Sequence, residues 1–424
     1  MKKALTIFLT LLFISNLISQ EKEQKTENPH KKLVISAWKL SSRISPNPIK
    51  LNYVFDKSFF KLVSEEKTIE ILKKLYEENG NVINVTSVTY HNEKNGDFFF
   101  HTEKNIIIPV SISVNDKGKI TGVFFRPSFQ KLEDPSNIFK KFEALNYEKK
   151  AMLIKKIGKV EDTIYSLNET TPLALGSAFK LYILAYLIKK DIKWEKVIRI
   201  NDKSRSLPTG KSHLFPKDAP VTIFSLAEAM ISESDNTATD TLIDYLGREN
   251  IENSLSDFYN SRPEINIPFL KTSEVFKLKS STQLAQDYIN LDIKGKRKLL
   301  KEIENDKIDI YKLDFTRPVF INSIEWFASA EDICRLYEYF LKENNEYANS
   351  MLSINPGLDI KTGRYIWAGY KGGSEPGVIS ANWILKSKNG DYYCVSSIIN
   401  DSNQIINEKE YLNIMQEILN NIEQ

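Results

Sequence analysis

The chain opens on an apolar run, Ala4 to Ile18, set between the positive Met1-Lys2-Lys3 and the small, polar Ser19-Gln20. A run shorter than the roughly 20 residues a spanning helix needs, with a charged start and a small residue at its end, has the pattern of a secretory leader rather than an anchor. Residues 1–20 are read as a signal peptide and 21–32 as a polar linker, and the mature chain is expected outside the cytoplasm, secreted or periplasmic. From Val54 to Gly80, apolar residues recur at helical spacing (Phe59, Leu62, Val63, Ile69, Leu72, Leu75, Tyr76), so a helix is expected there with Glu78-Asn79-Gly80 as its stop. Strand patterns follow over 82–90, 97–101, 106–114 and 120–125, with Asn95-Gly96 and Asp116-Lys117-Gly118 as the turns between them. Helix before antiparallel meander predicts a small α+β domain over residues 33–128.

Asp134-Pro135-Ser136 marks a boundary, and a second domain is expected over 135–424. It begins with a helix pattern (137–145) and two strand patterns (151–157, 162–167). Its middle is helical (179–190, 223–233, 237–246). It closes on strand patterns over 365–371, 378–386 and 391–400, the last two joined by Asn389-Gly390. Two opening strands and three closing ones can share a single antiparallel sheet flanked by helices, which makes this domain α+β as well.

Composition narrows the function. A chain of 424 residues is long enough for two or three domains, each with its own core. Lys plus Arg (58) nearly balances Asp plus Glu (55), which argues against a dedicated nucleic-acid binder. The four histidines, His30, His91, His101 and His213, form no i, i+4 pair and no His/Cys cluster, so neither a metal nor another cofactor is called for. Cys334 sits in a helical pattern and Cys394 in a strand pattern. Export permits a bond between them, but with no geometry in hand two buried free thiols are the favoured expectation.

The candidate chemistry lies in the second domain. Ser177-Ala178-Phe179-Lys180 leads into the apolar Leu181 to Leu187. Ser177 would sit at a helix N-terminus with Lys180 one turn on, and a lysine in apolar surroundings loses affinity for its proton and becomes a usable base. Ser-x-x-Lys by itself means little, since it also occurs at Ser19, Ser36, Ser58, Ser64 and Ser128. Only the copy at Ser177 opens a long apolar helix. Ser234-Asp235-Asn236 occurs once, between two helical patterns, where a helix cap is the plain alternative. A cation beside a small residue on a closing strand has two candidates: Lys361-Thr362-Gly363, which precedes the strand, and Lys371-Gly372-Gly373-Ser374, which ends it. Lys371 is preferred for its place on the strand.

In this order, Ser-x-x-Lys, Ser-Asp-Asn and Lys-Gly-Gly resemble the motifs of the penicillin-recognising serine hydrolases, the class A β-lactamases and penicillin-binding proteins, over residues 135–424. The leading domain is similar to the NTF2-like domain of two-domain, β-lactamase-like proteins from clavulanic-acid gene clusters. The resemblance implies a β-lactamase/transpeptidase-like fold and an acyl-enzyme mechanism on β-lactams or related ester, amide or peptide-like substrates. It implies Ser177 as nucleophile, Lys180 as its proton acceptor and Ser234 as proton shuttle, with Lys371 beside Ser234. It implies Asn236, Gly373 and Ser374 at the substrate, with the backbone N–H groups of Ser177 and Ser374 as oxyanion hole.

Two departures are visible. The family's Glu-x-x-Leu-Asn deacylation loop is missing: Glu252 falls in a helical pattern and is expected at the surface, leaving Glu274 as the weak candidate. Gly372 stands where the family has Thr or Ser, a lost hydroxyl that Ser374 would have to replace. Two other functions remain open from sequence, a sensor acylated at most once and a binding role for the leading domain.

Overall fold

Ser64 decides where the first long helix begins: its side chain accepts the Lys67 amide, and the helix runs Glu65–Asn79. The expected helix from Val54 is thus shorter, and the residues before it form two 3-10 turns, Leu51–Tyr53 and Phe59–Lys61. This geometry comes from a computed structural model that describes residues 29–126, 128–130, 136–158, 162–206, 209–360 and 365–422. Residues 1–28, which include the stretch read as a signal peptide, Asp134-Pro135 and the alternative Lys361-Thr362-Gly363 lie outside the described residues. The chain divides between residues 131 and 132 into two compact units.

The amino-terminal unit has helices α1 (Lys31–Ser41) and α2 (Glu65–Asn79) and strands β1 (Val82–Asn92), β2 (Asn95–Thr102), β3 (Ile106–Val114), β4 (Ile120–Phe125) and β5 (Phe129–Gln130). The first four strands form an antiparallel meander, with β5 pairing β3. Phe98 stands opposite Val110 and Phe100 opposite Ile108, and they pack on Leu33, Ala37 and Leu40 of α1. Asn95-Gly96 is not the turn. Asn92 Oδ1 accepts from the Lys94 amide and from Asn95 Nδ2, so the chain reverses at Glu93-Lys94. Gly96 instead allows close packing, because a Cβ there would lie 2.9 Å from Thr89 O and 3.0 Å from Leu33.

The carboxy-terminal unit is built on one antiparallel sheet of β6 (Lys149–Ile157), β7 (Asp162–Leu167), β8 (Tyr365–Glu375), β9 (Val378–Ser387) and β10 (Tyr392–Asn400), in the order β8-β9-β10-β6-β7. The ends of the unit therefore share the sheet. Trp383, Val395 and Ile399 face α3 (Ser136–Ala144) and the C-terminal helix, which buries Tyr411, Met415 and Leu419 with them. Alternate residues such as Ile384, Cys394 and Ile398 face the helical core of α4 (Lys180–Lys189), α5 (Ile223–Ser232) and α6 (Asn236–Leu246). Beyond these lie α7 (Thr272–Lys279), α8 (Thr282–Asn290), α9 (Ile293–Glu302) and α10 (Ala330–Glu343).

Cys334 of α10 and Cys394 of β10 are joined, with their Cα atoms 5.7 Å apart. The expectation of free thiols is overturned: 60 residues separate the two in sequence, and only the packing of α10 on the sheet brings them within bonding range. Among the described residues no helix is long and apolar enough to cross a membrane.

Candidate active site

The segment Leu173–Ala174 pairs with Phe327–Ala328, and the Leu175 amide donates to Trp326 O at 2.9 Å. Gly176, at φ +52°, then turns the chain into a short 3-10 turn, Gly176–Phe179, that runs directly into α4. Because Leu181, Ile183, Leu184, Ala185 and Leu187 are wholly buried, the helix is anchored by its own core. Ser177 is half-buried at its mouth and Lys180 is sealed inside.

Lys180 Nζ lies 2.6 Å from Ser234 O, 2.8 Å from Asn236 Oδ1 and 3.1 Å from Ser234 Oγ. Burial drives its pKa well below the usual lysine value; the charge of Lys371 adds to this, and Asp240 and Asp235 oppose it. A neutral amine has two hydrogens and one lone pair. The hydrogens fit Ser234 O and Asn236 Oδ1, which leaves the lone pair to take a hydroxyl proton. Among the described residues no hydrogen bond joins Ser177 to Lys180 as the site stands; such contacts are often loose before substrate binds.

Ser234 sits in the left-handed region, at φ +58°. A non-glycine residue held there is strained backbone of the kind found at functional sites, and the surroundings fix it. Thr209 Oγ1 donates to Ser234 O at 2.7 Å. Asp235 caps α6 through the Ala238 amide and accepts from the Lys211 and Ser212 amides, each at 2.7 Å. The cap reading of Ser-Asp-Asn falls on Asp235 alone. Asp235 is the cap and the fastener, while Ser234 and Asn236 point at Lys180.

Lys371 of β8 donates to Ser234 Oγ at 3.1 Å and to Gly372 O at 2.7 Å. Burial pushes its pKa down to about 7. One serine hydroxyl thus lies between two buried lysines whose hold on their protons is weak. Gly373 explains the close approach of β8: a Cβ would fall 2.2 Å from Ser177 N and 2.3 Å from Leu175 O. On the other side, a Cβ on Gly176 would lie 3.1 Å from Ser374 N. The Ser177 and Ser374 amides therefore stand on facing backbones. Gly372 has its own reason, since a Cβ there would meet the Tyr370 hydroxyl at 2.1 Å.

Ser177, Asn236 and Ser374 line a cavity of about 260 Å³. Glu274 is not brought to it. Its carboxylate pairs with Arg248 at 2.5 Å and accepts the Lys271 amide at 2.8 Å, where it fastens the start of α7. Glu252 is buried rather than at the surface and accepts the Phe269 amide at 2.9 Å. Lys279, Glu325 and Glu375, which also line the cavity, were not singled out from sequence. No motif marks them, because they come from a helix, a loop and a strand end. Among the described residues no group of His, Cys, Asp or Glu is placed to hold a metal ion.

Residues 137–306 match the model of the beta-lactamase enzyme family. No curated protein matches the chain. Among solved structures, a β-lactamase from Sphaerobacter thermophilus DSM 20745 is similar at 17% identity and a TM-score of 0.48, over 68% of this chain and 96% of that one. The TLA-1 extended-spectrum β-lactamase is similar at 16% identity and a TM-score of 0.47, over 68% and 96%. PBP-A is similar at 12% identity and a TM-score of 0.45, over 67% and 92%. The family match, with the five-stranded sheet and its flanking helices, gives the carboxy-terminal unit a β-lactamase/transpeptidase-like fold.

Proposed function

We propose that the carboxy-terminal unit is a serine hydrolase working through an acyl-enzyme on Ser177, with β-lactams or related esters and amides as substrates. The observation that carries this is the Ser234 hydroxyl within 3.1 Å of both Lys180 and Lys371, beside the cavity that holds Ser177. Neutral Lys180 accepts the Ser177 proton as Oγ bonds to the substrate carbonyl carbon. The negative charge on the carbonyl oxygen is met by the Ser177 and Ser374 amides. As the carbonyl–nitrogen or carbonyl–oxygen bond breaks, the leaving atom takes a proton from Ser234, which is restored from Lys180. Water then cleaves the ester, freeing the acid and Ser177. Lys371, charged below about pH 7, attracts a carboxylate on the substrate.

A second reading, a sensor that is acylated once and stays so, is favoured by a specific observation: Glu274 is tied to Arg248 outside the cavity, and no water-activating role is open to it there. The Cys334–Cys394 bond supports the proposal that the chain is exported to an oxidising compartment.

Time-resolved intact-mass spectrometry of residues 21–424 with penicillins, cephalosporins and a thioester, beside Ser177→Ala, tests both readings. An adduct on the wild type only, decaying within the assay, is the expected result. An adduct that persists supports the sensor. No adduct and no Ser177-dependent turnover overturns the acyl-enzyme reading.

A further inference from the structure

The cavity that holds Ser177 contains a second polar cluster, which the acyl-transfer steps leave unused. Lys279, the last residue of α7, donates to Glu325 Oε1 at 3.0 Å and to Glu375 Oε1 at 2.5 Å. Glu375 directly follows Ser374, so the cluster adjoins the strand end that bears the oxyanion amide. Only 2% of the Glu325 side chain is exposed, and its Oε2 is buried with no hydrogen-bond partner. Two carboxylates face a single lysine. Burial first, then the charge of Glu325, outweigh the pull of Lys279 and raise the Glu375 pKa well above the carboxylate range. Arg317, the other cation of the cavity, is bound to Asp314 at 2.7 Å, and the two balance each other. Much of the remaining wall is apolar, with Phe276, Phe315 and Trp326 among its residues.

Resting on the acyl-enzyme reading, we propose that Lys279, Glu325 and Glu375 form a subsite for a protonated amine on the acyl portion of the substrate. The apolar wall takes the ring or chain between that amine and the carbonyl carbon that Ser177 attacks. The ammonium donates to Glu325 Oε2, the buried acceptor that has no donor. With two carboxyl groups facing one lysine, the cluster can take a second cation, and a proton held by Glu375 passes to solvent as the ammonium enters. A carboxylate in the same place would face two acidic side chains and is rejected.

Three penicillins that differ only at the α-carbon of the phenylacetyl group test this: ampicillin (ammonium), penicillin G (hydrogen) and carbenicillin (carboxylate). Acylation rates are read by intact mass at mildly acidic pH, where the α-amine is protonated. The expected order is ampicillin, penicillin G, carbenicillin, with about tenfold between the first and last, the size a single charge-assisted hydrogen bond supplies. Glu325→Gln, close in shape to the native side chain, is expected to compress that span to within about twofold by the same reasoning. Equal rates across the three in the wild type, or carbenicillin fastest, overturn the subsite while leaving acylation at Ser177 intact. An unchanged order in a folded Glu325→Gln also overturns it. If none of the three forms an adduct, the β-lactam reading and this subsite fall together.

Discussion

Lys371 and Lys279 are both buried in the carboxy-terminal unit, yet burial pushes one pKa down to about 7 while the other ends above the usual lysine value. Among the described residues, Lys371 donates to a serine hydroxyl and a carbonyl oxygen. Nothing in that pair offsets the loss of water around its charge. Lys279 suffers the same loss, but Glu375 and Glu325 more than restore it. Lys180 falls with Lys371, since Asp240 and Asp235 only partly oppose its burial. The difference lies in the partner rather than in the residue type or depth. An unpaired buried lysine is a base in waiting, whereas a paired one is a fixed charge that shapes and holds a wall.

The largest effect that would sharpen the contrast is on chemistry. Lys180→Met should lower acylation of Ser177 about a thousandfold, within the range for loss of a positioned general base, with little change in melting temperature. A loss below about tenfold would remove Lys180 from the proton path.

The next is on stability. Lys279→Met leaves two buried carboxylates without their cation and should cost about 3 kcal/mol, as broken buried pairs do. Lys371→Met removes an amine whose burial works against the fold at neutral pH, so no comparable loss is expected. Urea denaturation of the two variants at one pH gives the comparison, and equal losses would break it.

The third effect is a slope. Lys371 holds its proton less tightly folded (about 7) than unfolded (10.5), so the unfolded chain binds more protons between those values. Its contribution to stability therefore improves as pH rises from about 7 toward 10.5. The urea midpoint of the wild type relative to Lys371→Met should rise across that window, and a flat difference would show that Lys371 titrates normally.

The elements were legible where a residue acts on its own neighbours. The apolar stretch after Lys180 pointed to the buried helix, and the Asn389-Gly390 signal lies in the connection between β9 and β10. The amino-terminal helix began late because Ser64 is a cap, a signal present in the sequence but outweighed there by helical periodicity. Asn95-Gly96 misled because the glycine serves α1 rather than the turn. Glu274 was offered for its place along the chain despite a poor match to the loop's spelling, and the structure gives its carboxylate to Arg248.

The three short motifs and the two opening and three closing strand patterns were legible in the sequence alone, since each rests on residues a few positions apart. Tertiary structure decided that Lys371 reaches Ser234, that Ser234 takes a left-handed backbone, that Gly373 meets Ser177 N, and that Cys334 meets Cys394. It alone assembled Lys279, Glu325 and Glu375 from positions as far as 96 residues apart. The physical reason is desolvation: whether a lysine is a base or a fixed charge depends on which groups share its buried volume, and those groups are chosen through space rather than along the chain.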